Sequence, residues 1–231
     1  MPETTLADIA EEEAIVERIY EALIDQRLAP GTKLSESDMC KAFGVGRMRI
    51  RRCLLLLANR NLVELLPNRG AFVAKPNPKQ ALEIFEARLT LEPPIARIAV
   101  EKSKPSQLKI LEKHLLMESA AHVAGNRREA IRLSGQFHTA LANLADNAAM
   151  LQIVKDLVTR SSLIIGMFGD SGVMNCRDDE HAGILQALRS GNANLAQDLM
   201  RTHIHHIMDH LDLTAPKAQA QDLVSLFAKD V

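Results

Sequence analysis

The sequence has few aromatic residues and almost no net charge. Its 231 residues include no Trp, one Tyr and six Phe, so aromatic side chains make up only 3%. This scarcity argues against β-sandwiches and against aromatic surfaces that stack on bases or sugars. Lys plus Arg total 28 against 29 Asp plus Glu, and this balance points to no polyanionic or polycationic partner for the chain as a whole. We therefore expect a mainly α-helical globular protein.

Cysteines and long apolar runs are also scarce. Cys40, Cys53 and Cys176 are odd in number, widely spaced and free of CxxC pairing, which is typical of a reducing compartment. The longest apolar runs, at residues 53–58 and 163–168, are far shorter than the roughly 20 residues that span a bilayer. The acidic N-terminus does not resemble a signal peptide. We expect a cytoplasmic protein with no membrane partner.

The prolines Pro76 and Pro78 mark the clearest domain boundary. They separate a small domain, residues 1–75, from a larger one, residues 79–231, with residues 76–78 as the linker. The larger part has a helical apolar period almost throughout. It predicts an antiparallel all-α bundle of about six helices over residues 79–213, the fifth starting at residue 177 and the sixth ending near residue 213. An amphipathic stretch at residues 219–229 follows, and it is expected to pack on the bundle or on a second subunit.

The small domain has the pattern of a winged helix-turn-helix. A helix is predicted over residues 6–26, a second one starts at Ser35, and the glycines at 44 and 46 separate it from a third that ends near Arg60. Residues 63–66 and 71–74, joined by a turn at 67–70, predict a two-stranded hairpin that forms the wing. Between Lys41 and Lys75 the chain carries eight basic residues and one acidic residue, which is the electrostatic pattern of a duplex binder.

These segments resemble the winged helix of GntR-family bacterial transcription regulators. The resemblance rests on GTKLSE at residues 31–36, GVGRMRIRRCL at 44–54 and PNRGAFV at 67–73. The usual recognition helix of the family reads VSRTPVREAL, and its two arginines fall on Arg47 and Arg51. Gly46, Met48, Arg49 and Arg52 depart from the usual Ser, Thr, Pro and Glu, so the half-site is expected to differ from the common one.

Each basic residue of this domain has an expected role on double-stranded DNA. Arg47 is placed to read a guanine, and Arg51 lies one turn further along the same helix face. Arg49 and Arg52 are expected to meet phosphates. Arg69 at the wing tip could enter the minor groove beside Gly70, where the missing side chain permits close approach of the backbone.

The histidines of the bundle are its candidate chemistry. His138, His181 and His203 fall on three different predicted helices, so three imidazoles could hold a divalent metal with positions left for water or a ligand. The alternative is that these are ordinary core or surface histidines. His206 and His210 share roughly the face of His203.

This region resembles the FCD effector domain of the FadR-type subgroup of GntR regulators. The motifs are FHTAL at residues 137–141, DEHAGILQAL at 179–188 and AQDLMRTHI at 196–204. The resemblance implies that His138, His181 and His203 bind zinc, nickel or a similar metal, whose coordination an organic acid completes. The Asp of the family pattern is replaced by Ser134, which implies weaker metal affinity or an extra water.

The resemblance also places Arg88 near the effector pocket, where its fork suits a carboxylate. An ion pair with Glu92 within the same helix is the alternative role of this arginine.

Together these features predict a homodimeric, ligand-responsive DNA-binding regulator rather than an enzyme. It is expected to repress an adjacent catabolic operon through an inverted-repeat operator until a small, carboxylate-bearing metabolite binds. One alternative is that the histidines bind an anionic effector directly, without metal. A direct metal sensor and a metallohydrolase, for which Glu180 is the one candidate base, are the other two.

Overall fold

The computed structural model describes residues 6–24, 27–169, 179–214 and 223–227. They form two compact units that meet in the sequence between Lys75 and Pro76. The first unit also includes the C-terminal helix, and the second holds six helices. The mainly α fold class is confirmed. None of the helices in the described ranges combines the length and apolar character needed to cross a membrane.

The first unit is a helix-turn-helix with a small sheet. Its helices are α1 (Leu6–Ile24), α2 (Glu36–Phe43) and α3 (Arg47–Asn59), and its strands are β1 (Lys33–Leu34), β2 (Val63–Leu66) and β3 (Gly70–Val73). The buried apolar side chains of α1 and α3 pack together as its core.

Local signals set the ends of α2 as the sequence predicts. The Ser35 hydroxyl accepts a hydrogen bond from the backbone N–H of Asp38, which caps the first turn of the helix. Gly44 ends the same helix with a φ of 68°, a left-handed conformation that favours glycine. The turn between α2 and α3 therefore lies where the glycines predicted it.

The sheet has one strand more than the hairpin predicted. β3 pairs antiparallel with β2, in the register Leu66 opposite Gly70, and β3 also pairs with β1. The sequence analysis placed no strand at Lys33–Leu34, because a two-residue strand carries no periodicity of its own.

The C-terminal helix α10 (Leu223–Phe227) packs on α2, within the first unit. The rings of Phe227 and Phe43 lie 4.8 Å apart between centroids, and the guanidinium of Arg18 donates to the Phe227 carbonyl at 2.7 Å. The expectation that this segment packs on the bundle was wrong, because residues 223–227 belong with the first unit and not with the larger domain, while a contact with a second subunit stays a prediction. Aromatic burial against Phe43 explains the difference, since Phe227 is only 1% exposed.

The second unit consists of six helices that follow the predicted order and type. They are α4 (Pro78–Lys102), α5 (Pro105–Val123), α6 (Arg127–Leu144), α7 (Ala148–Phe168), α8 (Glu180–Arg189) and α9 (Ala193–Asp209). Helix α4 contacts α6, α7, α8 and α9, so it is the element around which the unit packs.

Two boundaries of the second unit differ from the sequence-based ones. Asn77 and Gln80 form a reciprocal capping box, with both hydrogen bonds at 2.9 Å, and α4 therefore begins at Pro78, inside the predicted linker. Helix α9 ends at Asp209 instead of near residue 213. The predicted start of α8 at residue 177, and Cys176, lie outside the described residues.

Candidate functional site

Three buried imidazoles from three helices converge in the second unit. His138 of α6, His181 of α8 and His203 of α9 are each at most 2% exposed. The Nε2 atom of His203 lies 3.1 Å from Nε2 of His138 and 3.1 Å from Nε2 of His181. The sequence analysis named these three histidines as metal ligands, and the structure brings them into one cluster.

The other nitrogen of each imidazole faces a carboxylate. Nδ1 of His138 lies 2.6 Å from Glu92 of α4, and Nδ1 of His203 lies 2.7 Å from Glu180. Nδ1 of His181 is 2.9 Å from both carboxylate oxygens of Glu118 on α5. Such carboxylates hold metal-binding histidines in one tautomer and raise the basicity of the ligand nitrogen.

This arrangement fits a divalent cation. A neutral imidazole that gives its Nδ1–H to a carboxylate has a lone pair on Nε2, and here three such nitrogens face one another. Tetrahedral zinc, with Zn–N bonds of 2.0–2.1 Å, requires nitrogens about 3.3 Å apart, close to the observed 3.1 Å. Ser134, in place of the Asp of the family pattern, carries no negative charge. The carboxylates beside the imidazoles, Glu92, Glu118 and Glu180, provide negative charge nearby.

Burial keeps two of these imidazoles neutral. It lowers the pKa of His138 and of His181 well below the ordinary value, despite the opposing charges of Glu92 and Glu180 respectively. Burial would raise the pKa of Glu180, but hydrogen bonds from His203 and His206 hold it down to about 2. Neutral imidazoles beside ionised carboxylates are the protonation states that metal binding requires.

Arg88 makes the ion pair with Glu92 that was one of its two predicted roles, and its role in effector binding stays a prediction. It pairs with Glu92 through two nitrogens, at 2.5 and 3.3 Å, and also donates to the hydroxyl of Ser161 at 2.9 Å. Burial would raise the pKa of Glu92, but the charge of Arg88 beside it holds that pKa well below its ordinary range. Arg88 and Glu92 are buried together, so Arg88 neutralises the carboxylate that lies beside Nδ1 of His138.

A cavity opens beside His138 and extends along α6. Arg88 and Ser134, the two residues that the sequence assigned to effector binding, both line it. The remaining lining residues are mixed polar and apolar: His122, Arg127, Ala130, Ile131, Gly135, His138, Val158, Ser162, Ile165 and Ile207. An organic acid in this cavity would therefore meet hydrogen-bond donors, a cationic wall and an apolar wall.

The other histidines lie around or away from this cluster. His206 pairs with Glu180, which thus contacts two imidazoles of α9. His122, in which the sequence showed no signal, lines the cavity, and its Nε2 lies 3.9 Å from Glu118. His205 is exposed, as expected from its place on α9, and His210 is exposed at the end of that helix.

Sequence reasoning did not identify Glu118 as a functional residue. It lies 63 positions before His181, on a helix that the sequence placed in the bundle without a role. Its one local signal is its own chemistry, since Glu118 is a carboxylate on the side of α5 that also carries the buried Leu111 and Ala121. Glu92 and Glu180 were considered only as an ion-pair partner and as a base.

The recognition helix α3 exposes two of the predicted DNA-contacting arginines. Arg47 is the first residue of the helix and Arg51 lies one turn later, and both are exposed. Arg51 donates to Glu36 of α2 at 2.8 Å, an exposed pair that DNA phosphates or bases could replace.

Arg49 and Arg52 lie on a different side of α3 and pair with acidic residues of α1. Arg49 contacts Glu11, and Nε of Arg52 lies 2.6 Å from Glu12, whose side chain is only 8% exposed. A contact between either arginine and a DNA phosphate would have to share the guanidinium with these glutamates.

The wing tip turns tightly around Arg69, whose contact with the minor groove stays a prediction. Asn68 and Gly70 adopt positive φ values of 58° and 97°, which turn the chain tightly around Arg69. Arg69 is exposed, and its guanidinium lies 5.6 Å from the ring of Phe72. The tight turn thus presents one cation at the end of the hairpin.

Comparison with known proteins agrees with this division of the chain. Residues 11–73 match the model of the bacterial regulatory proteins of the gntR family, and residues 83–206 match that of the FCD domain. A chain from Rhodococcus sp. RHA1, a putative GntR transcriptional regulator, has a similar fold with a TM-score of 0.74 and 22% identity. The similarity covers 87% of this chain and 98% of that one.

Curated relatives are also regulators. YdhC, an HTH-type transcriptional regulator of Bacillus subtilis, is 28% identical over 79% of this chain and 82% of its own length. The galactonate operon transcriptional repressor of Escherichia coli is 27% identical over 82% of this chain and 92% of its own. RspR of Escherichia coli, an HTH-type transcriptional repressor, is 26% identical over 79% of this chain and 80% of its own length. The chain therefore belongs to the GntR family of bacterial transcription regulators, in the group that carries an FCD domain, and is not an enzyme.

Proposed function

We propose that this protein is a repressor that binds an inverted-repeat operator as a homodimer and is released by a small carboxylate-bearing metabolite. The family makes the chain a ligand-responsive DNA-binding regulator, and two of the relatives above are named as repressors. Control of an adjacent catabolic operon, in the cytoplasm where the bacterial chromosome lies, is the role we assign to it.

Base reading is assigned to Arg47 and Arg51 on the exposed face of α3. Arg69 and Gly70 are assigned to the minor groove. The test is to select a duplex from a random pool with the full-length protein and then footprint it with Arg47→Ala. A bidentate arginine–guanine contact contributes about 1–3 kcal/mol of base discrimination, so the variant should lose the specific footprint. An unchanged footprint would sink the assignment.

A homodimer is supported by an apolar face that α5 leaves exposed. Ile110, Leu116, Met117 and Val123 are 55–84% exposed on this helix. These exposed apolar side chains fit a surface of a second copy of the chain, and two copies would place two recognition helices on two half-sites. Light scattering should give twice the mass of one chain for the wild type and the mass of one chain for Met117→Lys. A monomeric wild type would contradict the proposal.

The cluster of Nε2 atoms, each backed by a carboxylate, is the observation that carries the effector part of the proposal. His138, His181 and His203 would hold a divalent ion, zinc or nickel, which would supply a Lewis acid for a carboxylate of the effector. Arg88 and Ser134 line the cavity that would receive the effector, and Glu92 would orient the imidazole of His138.

Effector binding can change DNA affinity only if the effector prefers one arrangement of the protein. The experiment is a thermal-shift screen of small organic acids against protein with zinc restored and against protein treated with EDTA. We expect stabilisation by some acids in the first sample and a much smaller effect in the second. If the same acids stabilise both samples equally, the imidazoles bind an anionic effector directly, without metal.

A direct metal sensor is the second candidate. The observation that favours it is that three imidazoles, each beside a carboxylate, could hold a metal whose remaining position water fills, without any organic ligand. Titration of zinc or nickel against the selected duplex, with no organic acid present, separates the two. Release of DNA by metal alone would identify the metal as the effector.

A further inference from the structure

Met48, in the first turn of the recognition helix α3, is an exposed apolar side chain that the DNA contacts proposed above do not use. Of the large apolar side chains that the structure describes in the first unit, Met48 is the most exposed, at 66%. Single apolar residues are common on protein surfaces and carry no meaning by themselves. What distinguishes Met48 is its position on the helix.

Met48 lies on the side of α3 that faces away from the core of the first unit. The buried side chains of this helix are Ile50, Cys53, Leu54 and Leu57. Successive residues of a helix are about 100° apart around its axis, so Met48 lies roughly opposite the middle of this buried face. It therefore occupies the middle of the face that a duplex docked on α3 would meet.

The arginines around Met48 divide into two groups. Arg47 and Arg51 are exposed and are assigned to base reading, whereas Arg49 and Arg52 pair with glutamates of α1. The exposed first turn of α3 thus offers a duplex one apolar side chain beside two base-reading arginines.

The chemistry of the major groove limits what such an apolar side chain can contact. Guanine, cytosine and adenine present hydrogen-bonding atoms there, whereas thymine also presents its C5-methyl group. An apolar contact with hydrogen-bonding atoms is unfavourable, because it removes them from water and gives them no partner. Methionine is flexible and polarizable, so its thioether can adapt to the position of a methyl group. The thymine methyl is therefore the base-edge group that Met48 contacts with a gain in free energy.

We propose that Met48 is a specificity-determining residue that contacts the C5-methyl group of a thymine in the operator half-site. Neighbouring Cα atoms are about 3.8 Å apart and base pairs about 3.4 Å, so this thymine lies within about two base pairs of the guanine assigned to Arg47. The inference rests on the proposed function, because it assumes that α3 lies in the major groove. It adds a second base to the one that the arginine reads.

The test begins with selection of duplexes from a random pool by the full-length wild type and by Met48→Ala. The wild-type half-site should contain a thymine near the guanine, and the variant should accept any base at that position while it keeps the guanine. The thymine is then replaced by uracil, which lacks only the methyl group. Wild-type affinity should fall about fourfold for each replacement, as expected for one buried methyl group, whereas Met48→Ala should bind both duplexes equally.

Leu55→Ala is the matched control. Leu55 is 51% exposed on the same helix, but it lies about 10 Å further from the helix N-terminus, and recognition helices contact bases with their N-terminal residues. This variant should keep the wild-type ratio of affinities for the thymine and uracil duplexes. Met48→Leu should keep a preference for thymine, because leucine preserves an apolar contact.

The outcomes separate this inference from the proposed function. A wild-type half-site without that thymine, or equal wild-type affinity for the thymine and uracil duplexes, overturns the inference and leaves the assignment of Arg47 and Arg51 intact. The inference also fails if Met48→Ala keeps the thymine preference or weakens binding to every sequence alike. Failure of the wild type to select any duplex overturns both the inference and the proposed function.

Discussion

The substitution Glu118→Gln tests whether the carboxylates behind the imidazoles set metal affinity. Glu118 is 4% exposed, and both of its oxygens lie 2.9 Å from Nδ1 of His181. Glutamine keeps the shape and one acceptor for the Nδ1–H, but it removes the negative charge. Loss of such a partner weakens metal binding about 10- to 100-fold, which corresponds to about 1.4–2.7 kcal/mol.

The assay is competition for zinc between the metal-free protein and a chromophoric chelator. Glu118→Gln should lie between the wild type and His181→Ala, which removes a ligand nitrogen. Glu112→Gln is the matched control, because Glu112 is on the same helix but pairs with Arg189 at the exposed surface. If Glu118→Gln binds zinc as tightly as the wild type while His181→Ala does not, the carboxylate plays no part in affinity.

Two further predictions concern the first unit. Arg51→Ala should reduce the discrimination between the selected duplex and a mismatched one by about 1–3 kcal/mol, as competition binding would show. Arg52→Ala should leave the slope of log affinity against log salt unchanged and cost about 1–3 kcal/mol of unfolding free energy in denaturant melts, because Glu12 loses its partner; a slope reduced by about one would instead place Arg52 on the phosphates. Burial, and to a smaller extent the charge of Glu12, raises the pKa of the Cys53 thiol to about 11. Iodoacetamide at pH 8 should therefore modify Cys40 but not Cys53 in the folded protein, as mass spectrometry would show. Because the unfolded thiol ionises near its ordinary pKa of about 9, the stability of the folded protein should fall as the pH rises from 9 towards 11. Prompt labelling of Cys53 in the native protein would contradict the raised pKa of its thiol.

Features that depend on local chemistry were predictable from the sequence. Ser35 as a cap, Gly44 as a stop and the wing turn around Arg69 each follow from a few neighbouring residues, and the structure has all three where they were predicted. The helices of the second unit follow from their apolar period. The three candidate ligand histidines were named from their places on three predicted helices and from the resemblance to a family, because His138 and His203 are 65 positions apart in the chain and no local motif joins them.

Features that depend on tertiary packing were not predictable from the sequence. Whether Arg52 faces DNA or α1 depends on how α3 rotates against its neighbour, and the charge count gave no information on that rotation. Glu12 became its partner only through the packing of two helices. In the same way, the amphipathic pattern of α10 indicated one buried face but not the surface that buries it.

The packing of α10 on α2 has a consequence for how the protein is made. A chain that has just left the ribosome as far as Lys75 holds the recognition helix and the wing but lacks Phe227, which covers Phe43 in the finished molecule. Truncating a buried phenylalanine to alanine typically costs about 3–5 kcal/mol, so this missing contact is large on the scale of a small unit's stability. The DNA-binding unit can therefore complete its packing only after residues 223–227 are synthesised, when the helices of the second unit already exist. A fragment cut after the wing is then an incomplete unit, and DNA-binding studies of this protein need residues 223–227.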